Sequence, residues 1–398
     1  MSARPSEPNA TIQLTLGEDY PEIRRSVRQI CSSYPGSYWR GIEDEDAYPE
    51  AFVKELTQSG YLAALIPEEY GGAGLPLRAA AVILEEIHAS GCNAGACHAQ
   101  MYIMGTLLRH GSVEQKQRYL PGIASGEIRL QAFGVTEPTS GSDTSKLQTK
   151  AVREGDQFFL TGQKVWTSRA LQSDLMLVLA RTTPVQDGQK KTDGLSVFLL
   201  DMTKARQNGL EIRKLETMIN HQTTEVFFDN VPVPAENLIG EQDKGFRYIL
   251  DSLNAERILV AAECIGDARF FVEKAAAYSS SRQVFGRPIG QNQAIQFPIA
   301  RAYAEMRSAE LLNRTTAALF DAGMPCGAEA NMAKLFASEA SWHAAEAALQ
   351  THGGFGYARE YDVERKWRET RIFQIAPIST NLILSYLGEH VLDMPRSY

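Results

Sequence analysis

The chain has 398 residues, 44% hydrophobic and 22% charged, with 40 basic against 48 acidic side chains and a formal net charge of -8. That length exceeds what one hydrophobic core usually sustains, so two or three domains are expected, and the ordinary proportions exclude a disordered chain, a coiled coil and a disulfide scaffold. An acidic balance without runs of like charge argues against nucleic acid as a partner; no apolar stretch reaches the about 18–20 residues of a membrane span, and Met1–Ala10 lacks an apolar signal core, so a soluble chain is expected, cytoplasmic of bacterial type with the mitochondrial matrix as the alternative.

From Glu18 to Ile123 the apolar residues recur mostly at helical spacing, with a run at Val53, Leu56 and Leu62 and the Gly-Pro-rich turn IPEEYGGAGLP. Helices follow over Ala79–Ala89 and His98–His110, and GSVEQKQRYL opens another. The texture changes near Arg129, where β-branched and aromatic residues alternate in QFFLTG, DLMLVLART, GLSVFLLDM, LEIRKL and TTEVFFDNVPVP, punctuated by Gly, Asn, Asp and Pro. That spacing predicts an antiparallel sandwich or barrel. After Asn237–Gly240 the helical period returns over 245–281, 291–322, 328–352 and 361–392, which predicts an antiparallel four-helix bundle. The expected class is α+β: an N-terminal α-helical domain (1–127), a middle β domain (128–240) and a C-terminal α-helical bundle (241–398).

The five cysteines, Cys31, Cys92, Cys97, Cys264 and Cys326, contain no CxxC pair, and the seven histidines no HxxxH pair. Neither a disulfide framework nor a metal site is expected; His88 and Cys92 lie one helical turn apart, but two ligands make no site. The segment Gln131–Asp143 (QAFGVTEPTSGSD) gathers Gly134, Thr136, Thr139, Ser140, Gly141 and Ser142 around Glu137-Pro138. Such a loop offers N–H groups and hydroxyls to a polar ring edge or a phosphate, although alone it reads rather as a polar turn.

FGVTEPTSGSD followed by GQKVWTS from Gly162 resembles, in order and interval, the two flavin-contacting segments of the acyl-CoA dehydrogenase family. The resemblance extends through IPEEYGGAGLP, TTEVFFDNVPVPAENLIG, SRQVFGRPIGQNQAIQFPIA and LQTHGGFGY, nearly the whole chain. It implies FAD as cofactor, with Phe133, Val135, Thr136, Ser142, Trp166, Thr167 and Ser168 lining the isoalloxazine and the substrate mouth. Independently of the likeness, Trp166 can stack on a flat ring while hydroxyls bond its polar edge. Arg282, Phe285, Gln293, Gln350, Gly353 and Gly354 match positions that in the family reach the FAD pyrophosphate and adenosine from a neighbouring subunit, and Ser379 and Asn381 are further cofactor positions. An Arg and a Gly-Gly pair supply what a diphosphate needs, positive charge and close backbone. A homotetramer, built as a dimer of dimers, is the implied assembly.

Most relatives carry the catalytic glutamate in a segment resembling IYEGTSQ; here the matching residues are Ile375 to Asn381, and Pro377 stands in the glutamate's place. Proline can neither accept a proton nor donate an N–H. A minority of the family, including isovaleryl-CoA and long-chain acyl-CoA dehydrogenases, places the base on the first bundle helix before an arginine, and Asn254-Ala255-Glu256-Arg257 fits that pattern. Ile249, Leu253, Glu256, Val260 and Cys264 fall on one stripe by steps of three and four. A carboxylate desolvated on such a stripe is a stronger base toward a thioester α-C–H. Glu256 is therefore the expected base, and Ser142, Asn254 and Arg257 the expected substrate contacts.

The resemblance implies α,β-dehydrogenation of an acyl-CoA to a trans-2-enoyl-CoA, with an electron-transfer flavoprotein reoxidising the cofactor. Relatives bond the thioester carbonyl with the backbone N–H at the Pro377 position, so a substitute is needed, the N–H of Ile378 or Ala376. The base's location hints at branched or longer acyl chains. The alternatives are an acyl-CoA oxidase, hydroxylase or lyase on the same fold, or a non-catalytic assembly partner. Glu137 is expected to be structural, and His352 is given no role.

Overall fold

A computed structural model describes residues 18–188 and 190–396. The first helices are short and amphipathic. α1 (Pro21–Cys31) buries Val27, Ile30 and Cys31, α2 (Gly36–Asp44) buries Trp39, and α3 (Glu50–Gln58) buries Phe52, Val53 and Leu56. α4 (Leu77–Ala89) is buried almost all round, and α5 (Gly95–His110) follows. α6 (Val113–Ser125) starts on a capping box: Ser112 Oγ accepts the Gln115 N–H at 3.2 Å, and Gln115 Oε1 accepts the Ser112 N–H at 3.0 Å.

Eight strands come next: β1 (Leu130–Gly134), β2 (Lys150–Glu154), β3 (Gln157–Ser168), β4 (Leu175–Arg181), β5 (Leu195–Asp201), β6 (Leu210–Lys214), β7 (Thr223–Pro234) and β8 (Leu238–Ile239), with the short helix α7 (Met202–Arg206) after β5. α8 (Gly245–Ser281) leads to a small hairpin of β9 (Gln283–Val284) and β10 (Arg287–Pro288), and the chain ends in α9 (Gln293–Asp321), α10 (Gly327–His352), α11 (Val363–Arg371) and α12 (Thr380–His390).

By contacts the chain divides into two compact units. Among the described residues, one holds 18–37, Pro76–Ala94 and 254–396; the other holds Tyr38–Leu75 and Gly95–Leu253. In the second, the sheet runs β6-β7-β3-β2-β4-β5-β8 with β1 beside β4. Its two antiparallel halves meet at the single pair Lys150–Arg181 and face each other across a core of Phe158, Leu160, Val226 and Phe228 against Met176, Val178, Phe198 and Leu200. The Phe158 and Phe198 ring centroids are 4.9 Å apart. The expected sandwich is present, but the β1–β4 and β2–β4 pairings are parallel. The reason is connectivity: β2 and β3 lie between β1 and β4 in sequence and provide the long crossover that parallel neighbours need. Leu175, Leu177, Leu179, Leu195, Val197 and Leu199, on the other face of β4 and β5, pack with Leu107, Leu120 and Ile123 of the helices. Burial on both faces explains why these strands read as unbroken apolar runs.

In the first unit, α8, α9 and α10 share a core rich in small residues, including Ala261, Cys264, Ala268, Ala302, Ala333 and Ala337 around Phe271 and Met306. Two long helices and α8 stand where expected. The helix expected over 361–392 is instead broken: α11 stops at Arg371 and α12 starts at Thr380. Pro377 has no N–H to continue the ladder, and Ser379 Oγ accepts the Leu382 N–H at 3.4 Å as a new N-cap. His88 Nδ1 lies 2.8 Å from Asp267 Oδ1, and Lys366 Nζ lies 2.6 Å from the same oxygen, in a fully buried charge cluster.

Candidate functional site

The two sequence segments singled out above are bonded to each other in the sheet unit. The Val165 N–H donates to Thr136 O at 2.9 Å, and Lys164 Nζ donates to Val135 O at 3.1 Å and to Glu137 Oε1 at 2.9 Å. Glu137 also accepts the N–H groups of Gln148 at 2.7 Å and Thr149 at 2.8 Å. Both charged groups are buried. Burial brings the Lys164 ammonium down to about 8 while Glu137 pulls the other way. Burial would raise the Glu137 carboxyl, but Lys164 and the two N–H donors outweigh it and hold it below its ordinary value. Glu137 is thus the structural anchor expected of it. Lys164, its partner, sits inside GQKVWTS, where nothing in the sequence marks it as buried.

Around this anchor Glu137 and Ser140 exchange N–H···O bonds at 3.2 and 3.1 Å, and the Ser140 hydroxyl donates to Asp143 O at 2.8 Å. The loop so closed leaves Ser142 exposed and Phe133, Val135 and Thr136 half-buried. Gly134 sits close in the sheet, where an added Cβ would fall 2.4 Å from Met176 Cε and push that side-chain tip aside.

Trp166 occupies a bulge, where the β3–β7 register shifts between Lys164 and Thr167. Its backbone is left-handed, with φ 59, and its side chain is 62% exposed. A large aromatic held in water on a strained backbone is costly to fold and signals a partner surface. Thr167 is buried, and its Oγ1 has no hydrogen-bond partner among the described residues. Ser168, half-buried, pairs across the sheet with Thr223. An exposed indole, an unsatisfied buried hydroxyl and flanking serines fit a flat ring with a polar edge. A cavity elsewhere in this unit, lined by Glu43, Asp46, Lys214, Met218, Asn220 and Gln222, shares none of these residues.

The remaining expected residues lie in the helical unit. Glu256 is 6% exposed on α8, and Val260 and Cys264 of its stripe are buried. Arg257 Nη1 donates to Asn254 Oδ1 at 2.9 Å, and burial draws the Arg257 guanidinium below its ordinary value against the neighbouring Glu256. In the turn that carries Pro377, the Ala376 N–H donates to Ile372 O at 2.9 Å, so of the two expected substitute donors Ala376 is already used. The Ile378 N–H has no acceptor among the described residues.

A second group forms where α8 ends. The Arg282 guanidinium lies over the Phe355 ring, 5.8 Å from its centroid, which brings it beside the Gly353-Gly354 turn. Gly353 has φ 57 and ψ -131, a conformation open to glycine, and a Cβ on Gly354 would meet nothing. Gln293 and Gln350 are exposed, as is Asn381, whereas the Ser379 hydroxyl is taken up in capping α12. Phe285, at the tip of the hairpin, is 100% exposed with φ 54. A guanidinium beside open backbone suits an anionic diphosphate. His352 is buried, stacked on Tyr278 at 4.2 Å and bonded to Ala348 O at 2.8 Å, and needs no ligand.

The chain matches three family models, described as the N-terminal domain (residues 17–127), the middle domain (132–231) and the C-terminal domain (243–391) of acyl-CoA dehydrogenase. It is 33% identical to an acyl-CoA dehydrogenase of Mycobacterium bovis, across 96% of this chain and 98% of that one. It is 36% identical to a 3-(aryl)acrylate reductase of Clostridium sporogenes, across 89% of this chain and 95% of that one. Among solved structures, the butyryl-CoA dehydrogenase of Megasphaera elsdenii superimposes with a TM-score of 0.88 at 28% identity, across 94% of this chain and 98% of that one.

Proposed function

The chain belongs to the acyl-CoA dehydrogenase family of oxidoreductases, and from that premise we propose that it dehydrogenates an acyl-CoA thioester to the trans-2-enoyl-CoA with FAD as its cofactor. Glu256 takes the α-proton. The electrons of that C–H bond form the Cα=Cβ bond as the β-hydrogen departs with its electron pair. FAD, when bound, supplies the acceptor for that hydride.

The protein's own contribution is placement and electrostatics. Phe133, Val135, Thr136, Ser142, Trp166, Thr167 and Ser168 would hold the flavin ring, and Arg282, Phe285, Gln293, Gln350, Gly353, Gly354, Ser379 and Asn381 the diphosphate and adenosine. Asn254, Arg257 and Ser142 would contact the substrate, and the unpaired Ile378 N–H is the donor for the thioester carbonyl as charge develops there. The reading rests most on one observation: Glu256 is a carboxylate buried on α8 beside Arg257, while Pro377 occupies the alternative position for the base. Burial keeps bulk water from competing for the carboxylate.

Exposed Phe285, Phe297 and Phe336 on the helical unit support association of copies, in our reading a homotetramer in which neighbours complete the FAD site. An electron-transfer flavoprotein would reoxidise the cofactor. Among the described residues no helix is long and apolar enough to cross a membrane. Anaerobic titration of the FAD-loaded protein with straight and branched acyl-CoAs tests the proposal. Loss of flavin absorbance with stoichiometric enoyl-CoA supports it; bound FAD that no thioester reduces would overturn it.

The relative named 3-(aryl)acrylate reductase favours a second reading, hydrogen addition to an acrylate-type double bond by the same residues run in reverse. Reoxidation of chemically reduced protein by an arylacryloyl thioester, faster than the oxidised protein is reduced by the matching saturated thioester, would select it.

A further inference from the structure

Lys334, in the middle of α10, is 0% exposed, and its Nζ donates to Ile378 O at 2.7 Å. Taking an ammonium out of water is costly, and one bond to a neutral carbonyl does not offset that cost, so a methionine of similar length would serve the fold better. What the lysine adds is a fixed point for the turn that carries Pro377. Lys334, Ser338 and Ser341 lie on one buried stripe of α10 by steps of four and three. Ser341 Oγ is hydrogen-bonded to Thr370 Oγ1 near the end of α11, so α10 holds the chain on both sides of the segment 371–377.

The backbone donors at the tip of that segment are accounted for one by one. The Ile375 and Ala376 N–H groups both donate to Ile372 O, at 2.8 and 2.9 Å, and Pro377 has none. The Ile378 N–H therefore lies between two anchored points: the bonded Ala376 N–H before it, and its own residue's carbonyl, gripped by Lys334, after it. The Pro377 ring locks one of the few torsions between them. We propose that Lys334 is a positioning residue for the thioester carbonyl: by holding Ile378 O it aims the Ile378 N–H at the oxygen on which charge develops. This rests on the reading of that N–H as the carbonyl's donor. Such a donor is worth most when its direction is fixed before the charge appears.

The test has two readouts besides activity. The first is the carbonyl stretch of a trans-2-enoyl-CoA, labelled with 13C at the thioester carbon and bound to the oxidised, FAD-loaded protein, where no electron transfer follows. The second is amide hydrogen exchange of residues 376–378, in which only Ala376 and Ile378 carry a backbone N–H. In wild type the enoyl-CoA should lower the stretch and slow the Ile378 exchange. Lys334→Met should lose most of the lowered stretch, exchange faster at Ile378 with or without ligand, and reduce flavin about ten- to a hundredfold more slowly, while thioester affinity stays within about twofold. A lysine that only stabilised the bundle would leave the stretch of the folded variant unchanged. Lys334→Met with wild-type stretch and exchange overturns the positioning role. Wild type in which the enoyl-CoA leaves the Ile378 exchange unaltered removes the donor reading itself, and the proposal with it. If Lys334→Met does not fold, Lys334→Gln, whose shorter side chain falls short of Ile378 O, gives the same two readings.

Discussion

Replacing Glu137 by Gln should destabilise the sheet unit by about 3–5 kcal/mol, the cost of removing one partner of a buried ion pair. The size follows from what Glu137 touches: Lys164 Nζ at 2.9 Å and the N–H groups of Gln148 and Thr149 at 2.7 and 2.8 Å. The amide's one carbonyl oxygen can keep one N–H. The other donor is orphaned, at about 1–3 kcal/mol, and the Lys164 charge keeps only Val135 O as acceptor. Urea unfolding at neutral pH measures the loss, and adding Lys164→Met to Glu137→Gln should recover the part that comes from the uncompensated ammonium while the orphaned N–H keeps its cost. The pH dependence has a definite sign. The Glu137 carboxyl is lowered in the fold, so its contribution is present above its unfolded value and is lost as pH falls through the folded one. Lys164, at about 8 in the fold, lies below its unfolded value, so between the two the unfolded chain holds the extra proton and stability rises with pH. A Glu137→Gln cost under about 1 kcal/mol, typical of an exposed pair, would refute the reasoning.

Trp166→Ala should leave thermal stability within about 0.5 kcal/mol of wild type, because the indole is exposed, yet lower flavin content after dialysis. Arg282→Ala should weaken FAD retention without unfolding the bundle, read as flavin absorbance per protein after extensive dialysis. Gly354→Ala, where the added Cβ meets nothing, should fold normally, while Gly353→Ala should cost about 1–2 kcal/mol because φ is 57 there. In the helical unit, burial alone would raise Asp267, but Lys366 and His88 bring it down to about 2. Its contribution is therefore full above its unfolded value and lost as pH falls toward about 2. Asp267→Asn should flatten that acid limb and cost about 3–5 kcal/mol at neutral pH in denaturant unfolding.

The strands that read most clearly from sequence were those buried on two faces or fixed by turn residues, and β4, β5 and β7 lie within a residue or two of the expected segments. β1 falls at the start of a segment that reads as a loop, because five residues cannot declare a strand whose parallel partner lies beyond a hairpin. The break between α11 and α12 could have been read from Pro377 and Ser379, but helical spacing on both sides concealed it. At the candidate site, the motif residues of the loop and of β3 do meet, and Arg282 does reach the Gly353-Gly354 turn. The partners that hold these groups were not legible. Lys164 and Lys334 resemble any surface lysine in sequence, and only the fold shows that one meets Glu137 and the other Ile378 O. Thr167 and Ser379 likewise carry the right chemistry for the expected ligand, yet whether a hydroxyl points inward or caps a helix depends on strand bulging and helix starts that a motif does not encode.

The most direct test of the account is anaerobic addition of acyl-CoA to FAD-loaded wild type and Glu256→Gln, following flavin absorbance in a stopped-flow instrument. The account predicts bleaching in wild type and a stable yellow flavin in the variant, which should still bind the thioester. Bleaching of Glu256→Gln at the wild-type rate would contradict it and return the search for the base to other carboxylates.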